Sequence, residues 1–135
     1  MGEEIKFTLE KYWLSDIAFT RNLKFDWEGK QSIDLSPRIE RRITKVDDDN
    51  AVVSLSISIE PSDKVPFGLN IVVNGSFKLE KWEETEEKKL VMLENAPTIL
   101  FPYLRQAASD ITMMANIPPY ILPIVNVPNL FRKKQ

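Results

Sequence analysis

The acidic residues are the first place to look for chemistry. Asp47, Asp48 and Asp49 are consecutive, and Glu83, Glu84, Glu86 and Glu87 crowd the stretch just after Trp82. Carboxylates can hold a hard cation or act as a paired acid and base. Three consecutive aspartates, however, cannot all converge on one ion, and the spaced Asp-x-Asp-x-Asn-Gly pattern with its distal glutamate is missing. They read as a solvated turn. The glutamates are followed at once by Lys88 and Lys89, which reads as a solvated helix start. Arg38, Arg41 and Arg42 could meet a phosphate, but the chain has only four glycines and no glycine-rich phosphate loop. Its formal net charge of −2 and pI near 5.3 recommend no nucleic acid. Histidine and cysteine are both absent, which removes the commonest general base, thiolate ligands and disulfides together. No catalytic residue, metal or cofactor is expected, and the chain is not read as an enzyme.

The elements that would position any site are legible from periodicity. A chain of 135 residues, 43% hydrophobic and 28% charged, fits a single domain over 1–135. Period-2 alternation marks four strands. "EIKFTLEKYW" sets Ile5, Phe7 and Leu9 against Lys6, Thr8 and Glu10. "SIDLSPRIERRITKV" places Ile33, Leu35, Ile39 and Ile43 on one side, with Pro37 making it an edge or bulged strand. "AVVSLSISIE" alternates Val53, Leu55, Ile57 and Ile59 with serines. "LNIVVNGSFKLE" buries Leu69, Ile71, Val73, Phe77 and Leu79, and Gly75 signals a bulge or a close backbone approach. "DDDN" and "PSDKVPFG" read as hairpin connections. After Trp82 the period becomes helical: a short helix over "EETEEKKLVMLEN", a break at Asn95-Ala96-Pro97, then a main helix from near Pro97 or Pro102. That helix carries Tyr103, Leu104, Ala107, Ala108, Ile111 and Met114, and should stop at Asn116. Strands first and helices last give an α+β fold, with a four-stranded antiparallel sheet and C-terminal helices on one face.

Two segments hold more apolar surface than their structure can bury. The connection "RNLKFDWEGKQ" carries Leu23, Phe25 and Trp27. The tail packs Ile117, Tyr120, Ile121, Leu122, Ile124, Val125, Val127, Leu130 and Phe131 among Pro118, Pro119, Pro123 and Pro128, which preclude a continuous helix. Such surface lies on the chain's own core, meets a neighbouring subunit or binds other chains. The helix is apolar on two flanks, Leu104, Ala108 and Ile111 on one and Tyr103, Ala107 and Met114 on the other. One can cover the sheet while the other meets a second copy. No stretch is long and apolar enough to span a bilayer, and the N-terminus has no signal-like region, so a cytoplasmic location without membrane insertion is expected.

Several motifs resemble those of the SecB family of protein-export chaperones. "ILFPYLRQA", Ile99 to Ala107, resembles the family's "ILFPYARE". The similarity runs on through "IPPYILPIVNVPNLF" at Pro118, Leu122, Val125, Asn126, Leu130 and Phe131. "WLSDIAF" is similar through Trp13, Asp16, Ile17 and Phe19. Asp26-Trp27 matches a pair in the family's crossover loop, and "PFGLNIVVNGSF" fits its fourth strand.

This resemblance implies a SecB-like dimer of dimers that holds unfolded or nascent polypeptides in apolar grooves without ATP and can serve protein export. The client-binding residues it suggests are Leu23, Phe25, Trp27, Ile121, Leu122, Ile124, Val127, Leu130 and Phe131. Oligomer contacts are expected at Tyr103, Leu104, Ala108 and Ile111. The alternative is an adaptor or structural oligomer dedicated to one partner, such as a toxin–antitoxin component. Family members also dock the SecA motor on the exposed sheet face. Asp16 keeps one carboxylate of that contact, whereas Thr20, Gly68 and Asn70 stand where Glu, Leu and Glu are expected. The sequence stops at "LFRKKQ", where the family continues into a second helix and a zinc-binding acidic tail. SecA is therefore left open as a partner, and the chain looks like a divergent member.

Overall fold

Strict alternation in "NAVVSLSISI" dictates a strand with one buried and one polar face, and β3, Asn50–Ile59, has that form. Ala51, Val53, Leu55 and Ile57 are fully buried, while the serines between them face the other way. A computed structural model of the chain describes residues 8–28, 35–79 and 86–117. In it β1 (Thr8–Arg21), β2 (Arg38–Lys45), β3 and β4 (Phe67–Lys78) form one antiparallel sheet in the order β1-β4-β3-β2. The helix α1, Glu86–Met114, lies over β4 and β3 and touches β2 more lightly.

Register explains the core. Val53 pairs with Gly75, Leu55 with Val73 and Ile57 with Ile71, so β3 and β4 present one continuous apolar surface. Ala96, Leu100, Leu104 and Ala108, at helical spacing, press onto it and are fully buried. Gly75 lets the helix come this close. A Cβ there would stand 2.8 Å from Leu100 Cδ2, 2.8 Å from Phe77 Cε2 and 3.1 Å from Leu9 Cδ1. The glycine marks close approach rather than a bulge in β4.

Three expectations need correction. The helix is one element, not two: Pro97 and Pro102 both lie inside α1. Each proline removes one i→i−4 bond, at about 3 kcal/mol. The buried contacts of Ala96, Leu100 and Leu104 on either side hold the two halves in line. Thr98 lies between the prolines and its hydroxyl donates to the Glu94 carbonyl at 2.9 Å. The first strand runs on to Arg21, well past Trp13, and its start at Ile5 and Phe7 lies outside the described residues. The alternation fails there because β1 bulges twice against β4, between Leu9 and Lys11 and between Leu14 and Asp16. Each extra residue swaps the two faces. The second strand starts only after Pro37, at Arg38, and is an edge strand.

The smaller punctuation is as expected. Asp47 Oδ1 accepts from the Asp49 amide at 2.9 Å and from Asn50 Nδ2 at 2.8 Å, closing the β2–β3 turn. These bonds, the Asp49 amide first, hold the Asp47 carboxyl below its usual pKa. The helix ends on Asn116, whose φ of 60° is the left-handed conformation that asparagine tolerates.

Replacing Gly75 with alanine tests how firmly α1 is seated. Alanine gains about 0.4–1 kcal/mol by restricting the unfolded chain, but overpacking costs about 1–3 kcal/mol. The urea midpoint should fall with the m-value unchanged. A midpoint that holds or rises would show that Leu100 and Phe77 yield easily.

Candidate functional site

The loop after β1 is held by a polar anchor and carries apolar side chains outward. Asn22 N donates to the Pro66 carbonyl at 2.8 Å, and Asn22 Nδ2 reaches the carbonyls of Ser62 and Val65 at 3.2 and 3.0 Å. Its Oδ1 accepts from Lys24 N at 3.1 Å, and its main-chain carbonyl accepts from Phe25 N. One asparagine thus ties the loop to the β3–β4 hairpin and sets its first turn. Asp26 repeats the device, Oδ1 accepting from Glu28 N at 2.9 Å. Leu23 is 85% exposed on this frame. Trp27 is 40% exposed and meets Phe25 edge to face at 5.2 Å. Leu23 therefore points into solvent, Trp27 is partly exposed and Phe25 is half-buried beneath it. Beside them a cavity of about 440 Å³ opens between Leu23, Pro61, Val65 and Phe67.

The end of α1 comes to the same corner. Arg21 Nη1 donates to the Ala115 carbonyl at 2.7 Å, satisfying a C-terminal carbonyl with a cation. Ile117 is buried against the core. The expected tail contacts Ile121, Leu122, Ile124, Val127, Leu130 and Phe131 lie outside the described residues.

A second apolar strip went unread in the sequence. Tyr12, Leu14 and Ile17 pair with Gly75, Val73 and Ile71, so they share the sheet face that α1 covers. They are nevertheless 42–50% exposed, because α1 sits over β3 and β4. Tyr103 closes part of the gap by stacking on Tyr12, with ring centroids 3.9 Å apart. Among the expected oligomer contacts, Leu104 and Ala108 are fully buried in the chain's own core, while Tyr103 and Ile111 are half-buried at its margin. The strip was legible only as a run of large residues in "YWLSDIAF", since the bulge at Ser15 breaks the alternation that would have shown its face.

The four positions compared with the SecA contact do fall together. Asp16 pairs with Val72, Ala18 with Asn70 and Thr20 with Gly68, so residues 16, 20, 68 and 70 share the face opposite α1. Gly68 has a local reason to be glycine. A Cβ there would stand 2.6 Å from Pro61 Cγ in the β3–β4 hairpin, which leaves no room for a larger side chain. On the α1 side, burial holds the Arg41 guanidinium below its usual pKa while Glu94 opposes the shift. Among the described residues there is no cluster of acidic residues arranged to hold a metal ion. No described helix is long and apolar enough to cross a membrane.

The sequence profile of a family described as "Preprotein translocase subunit SecB" matches residues 2–135. The chain belongs to the SecB family. The protein-export protein SecB of Nitrosococcus oceani is 25% identical over 141 aligned positions, covering 99% of this chain and 84% of the relative. That of Orientia tsutsugamushi is 27% identical over 98% of this chain and 85% of its own length. The fold matches the SecB-like chaperone of Mycobacterium tuberculosis, solved with a peptide from the HigA1 antitoxin. The TM-score is 0.65 at 18% identity, over 88% of this chain and 90% of that one. A Streptococcus agalactiae protein of unknown function gives a TM-score of 0.61 at 15% identity. At these identities the chain is a divergent SecB-family chaperone.

Asn22 is the loop's principal tie, so Asn22→Ala should release it. The bonds lost are worth about 1–2 kcal/mol locally, and the Lys24 and Phe25 amides should exchange faster while the core amides of β3 hold. Unchanged exchange at both positions would show that the apolar contacts alone keep the loop in place.

Proposed function

We infer that the protein is an ATP-independent holdase of the cytosol that retains unfolded or nascent polypeptides. The observation that carries this reading is the loop of exposed Leu23, half-buried Phe25 and partly exposed Trp27, anchored by Asn22 next to the end of α1. Unfolded clients share hydrophobicity rather than sequence, and a surface that recognises them needs large apolar contacts of low entropic cost. Trp27 and Phe25 supply these. The proposal adds to this surface the apolar tail residues Ile121, Leu122, Ile124, Val127, Leu130 and Phe131. The peptide bound by the Mycobacterium tuberculosis chaperone supports polypeptide as the ligand class. Of the four positions compared with the motor contact only Asp16 carries a carboxylate, so the reading assigns this chain client holding and leaves delivery to SecA out.

The proposed assembly is a homo-oligomer. Tyr12, Leu14 and Ile17 leave an apolar strip along an edge strand, with Tyr103 and Ile111 at its border. A second copy laid on this strip would cover it and pair the free edge of β1 at once.

Two measurements test the reading. The purified protein should suppress aggregation of a chemically denatured client at near-stoichiometric amounts and without ATP. Trp27→Ala should weaken client binding by about 1–3 kcal/mol while the melting temperature stays near that of the parent. Failure to protect any of several clients would remove the holdase reading. A stability loss of about 3–5 kcal/mol would instead make Trp27 a core residue.

For the assembly, Ile17→Asp should shift sedimentation to a smaller species, since a carboxylate on the strip would have to be buried unpaired. Ile17 is half exposed in the single chain, so the variant should still fold. An unaltered sedimentation profile counts against the strip as the contact between copies.

A further inference from the structure

The last turn of α1 exposes two thioethers at consecutive positions. The chain has four methionines and no cysteine, so oxidation at sulfur can fall on methionine alone. Met113 and Met114 are 55% and 82% exposed. Helical phase is the reason. Leu104, Ala108 and Thr112 point into the sheet and are fully buried, and the next two residues turn successively away from it. The bonds that close this helix end run through the main chain and Arg21. The Met113 carbonyl accepts from Asn116 N at 3.0 Å, the Thr112 carbonyl accepts from Ala115 N at 3.2 Å, and Arg21 Nη1 donates to the Ala115 carbonyl at 2.7 Å. A change confined to the two sulfurs therefore leaves the helix end in place.

The Arg21 bond also brings the methionines to the apolar loop. Ala115 follows Met114 in the chain, and Asn22 and the exposed Leu23 follow Arg21. Methionine is unbranched and polarizable, and such side chains suit surfaces that meet many apolar partners. Oxidation reverses that character, because the sulfoxide places a polar acceptor on what was apolar surface. Burial against an apolar client would leave its oxygen without a donor.

We propose that Met113 and Met114 form a reversible oxidation site that turns client holding down. Hydrogen peroxide is the oxidant. Each thioether sulfur attacks one peroxide oxygen and becomes S=O; the O–O bond breaks and the other oxygen leaves as water. Sulfur gives up an electron pair and the peroxide takes it. Methionine sulfoxide reductases restore the thioether, with a dithiol that becomes a disulfide while the oxygen departs as water. The effect on clients rests on the holdase reading; the oxidation site does not.

The test treats the full chain with hydrogen peroxide, maps the oxidised positions by peptide mass spectrometry and measures affinity for a chemically denatured client before and after. Met113 and Met114 should each gain one oxygen while the melting temperature stays unchanged. Client affinity should fall about tenfold, the effect of one buried acceptor left unmet, and should return after treatment with the reductases. The double variant Met113→Leu, Met114→Leu keeps apolar side chains of similar volume. It should hold client like the parent and keep its affinity through peroxide. Sulfurs that oxidise only once urea unfolds the chain would overturn the site. Undiminished affinity in the oxidised parent, or an equal loss in the double variant, would overturn the switch and leave the holdase reading standing. A chain that oxidises at both sulfurs but holds no client before treatment would remove the holdase reading, and the switch with it.

Discussion

One helix is too narrow for four strands, and the rest of the structure follows from that mismatch. An α-helix with side chains is about 10–12 Å across, whereas four strands span about 14 Å between their outer axes and more with side chains. The helix must therefore choose where to sit. Gly75 fixes the choice, because the missing side chain on β4 lets Leu100 descend onto the sheet between Phe77 and Leu9. With α1 centred on β3 and β4, those strands bury every residue of their apolar face, and the outer strand β1 is left half dressed. Tyr12, Leu14 and Ile17 are the remainder of that subtraction.

The same seating places the loop. The helix ends where β1 ends, and Arg21 joins the two by capping the Ala115 carbonyl. Asn22, the next residue, turns the chain outward on three hydrogen bonds from its side chain or amide to the β3–β4 hairpin. A loop with Leu23, Phe25 and Trp27 would otherwise collapse onto the nearest apolar surface. Polar anchoring at its base fixes where the loop leaves the sheet, and the edge-on packing of half-buried Phe25 with Trp27 gives the exposed indole a defined orientation.

What the sequence made legible was whatever had an unbroken period. β3, with its run of serines against valine, leucine and isoleucine, could be placed to within a residue. So could the Asp47 turn and the Asn116 stop, each of which depends on chemistry local to a few residues. Misreadings came where tertiary packing overrode a local rule. Pro97 and Pro102 each forbid a helix locally, yet the buried stripe from Ala96 to Ala108 carries α1 through both. The bulges in β1 are set by its pairing with β4, and nothing near Glu10 or Ser15 announces them. The apolar loop was read from composition alone, and the "ILFPYLRQA" motif fixed the family. The strip on β1 could not be read, because which face a residue takes after a bulge depends on the partner strand.

The two sheet faces divide the labour of staying in solution. The apolar strip on the α1 side is exposed, and a second apolar face would leave the sheet free to stack in layers. Opposite α1, the face instead carries Ser54, Ser56, Ser58 and Asn70, with charges of both signs at Asp16, Arg38, Glu40 and Arg42. Stacking there would strand those charges without partners, at several kcal/mol each. An apolar surface laid on the polar side would leave those charges unpaired, so stacking is disfavoured there. The serines of β3 therefore shape the surface of the sheet as much as the apolar residues that alternate with them shape its core.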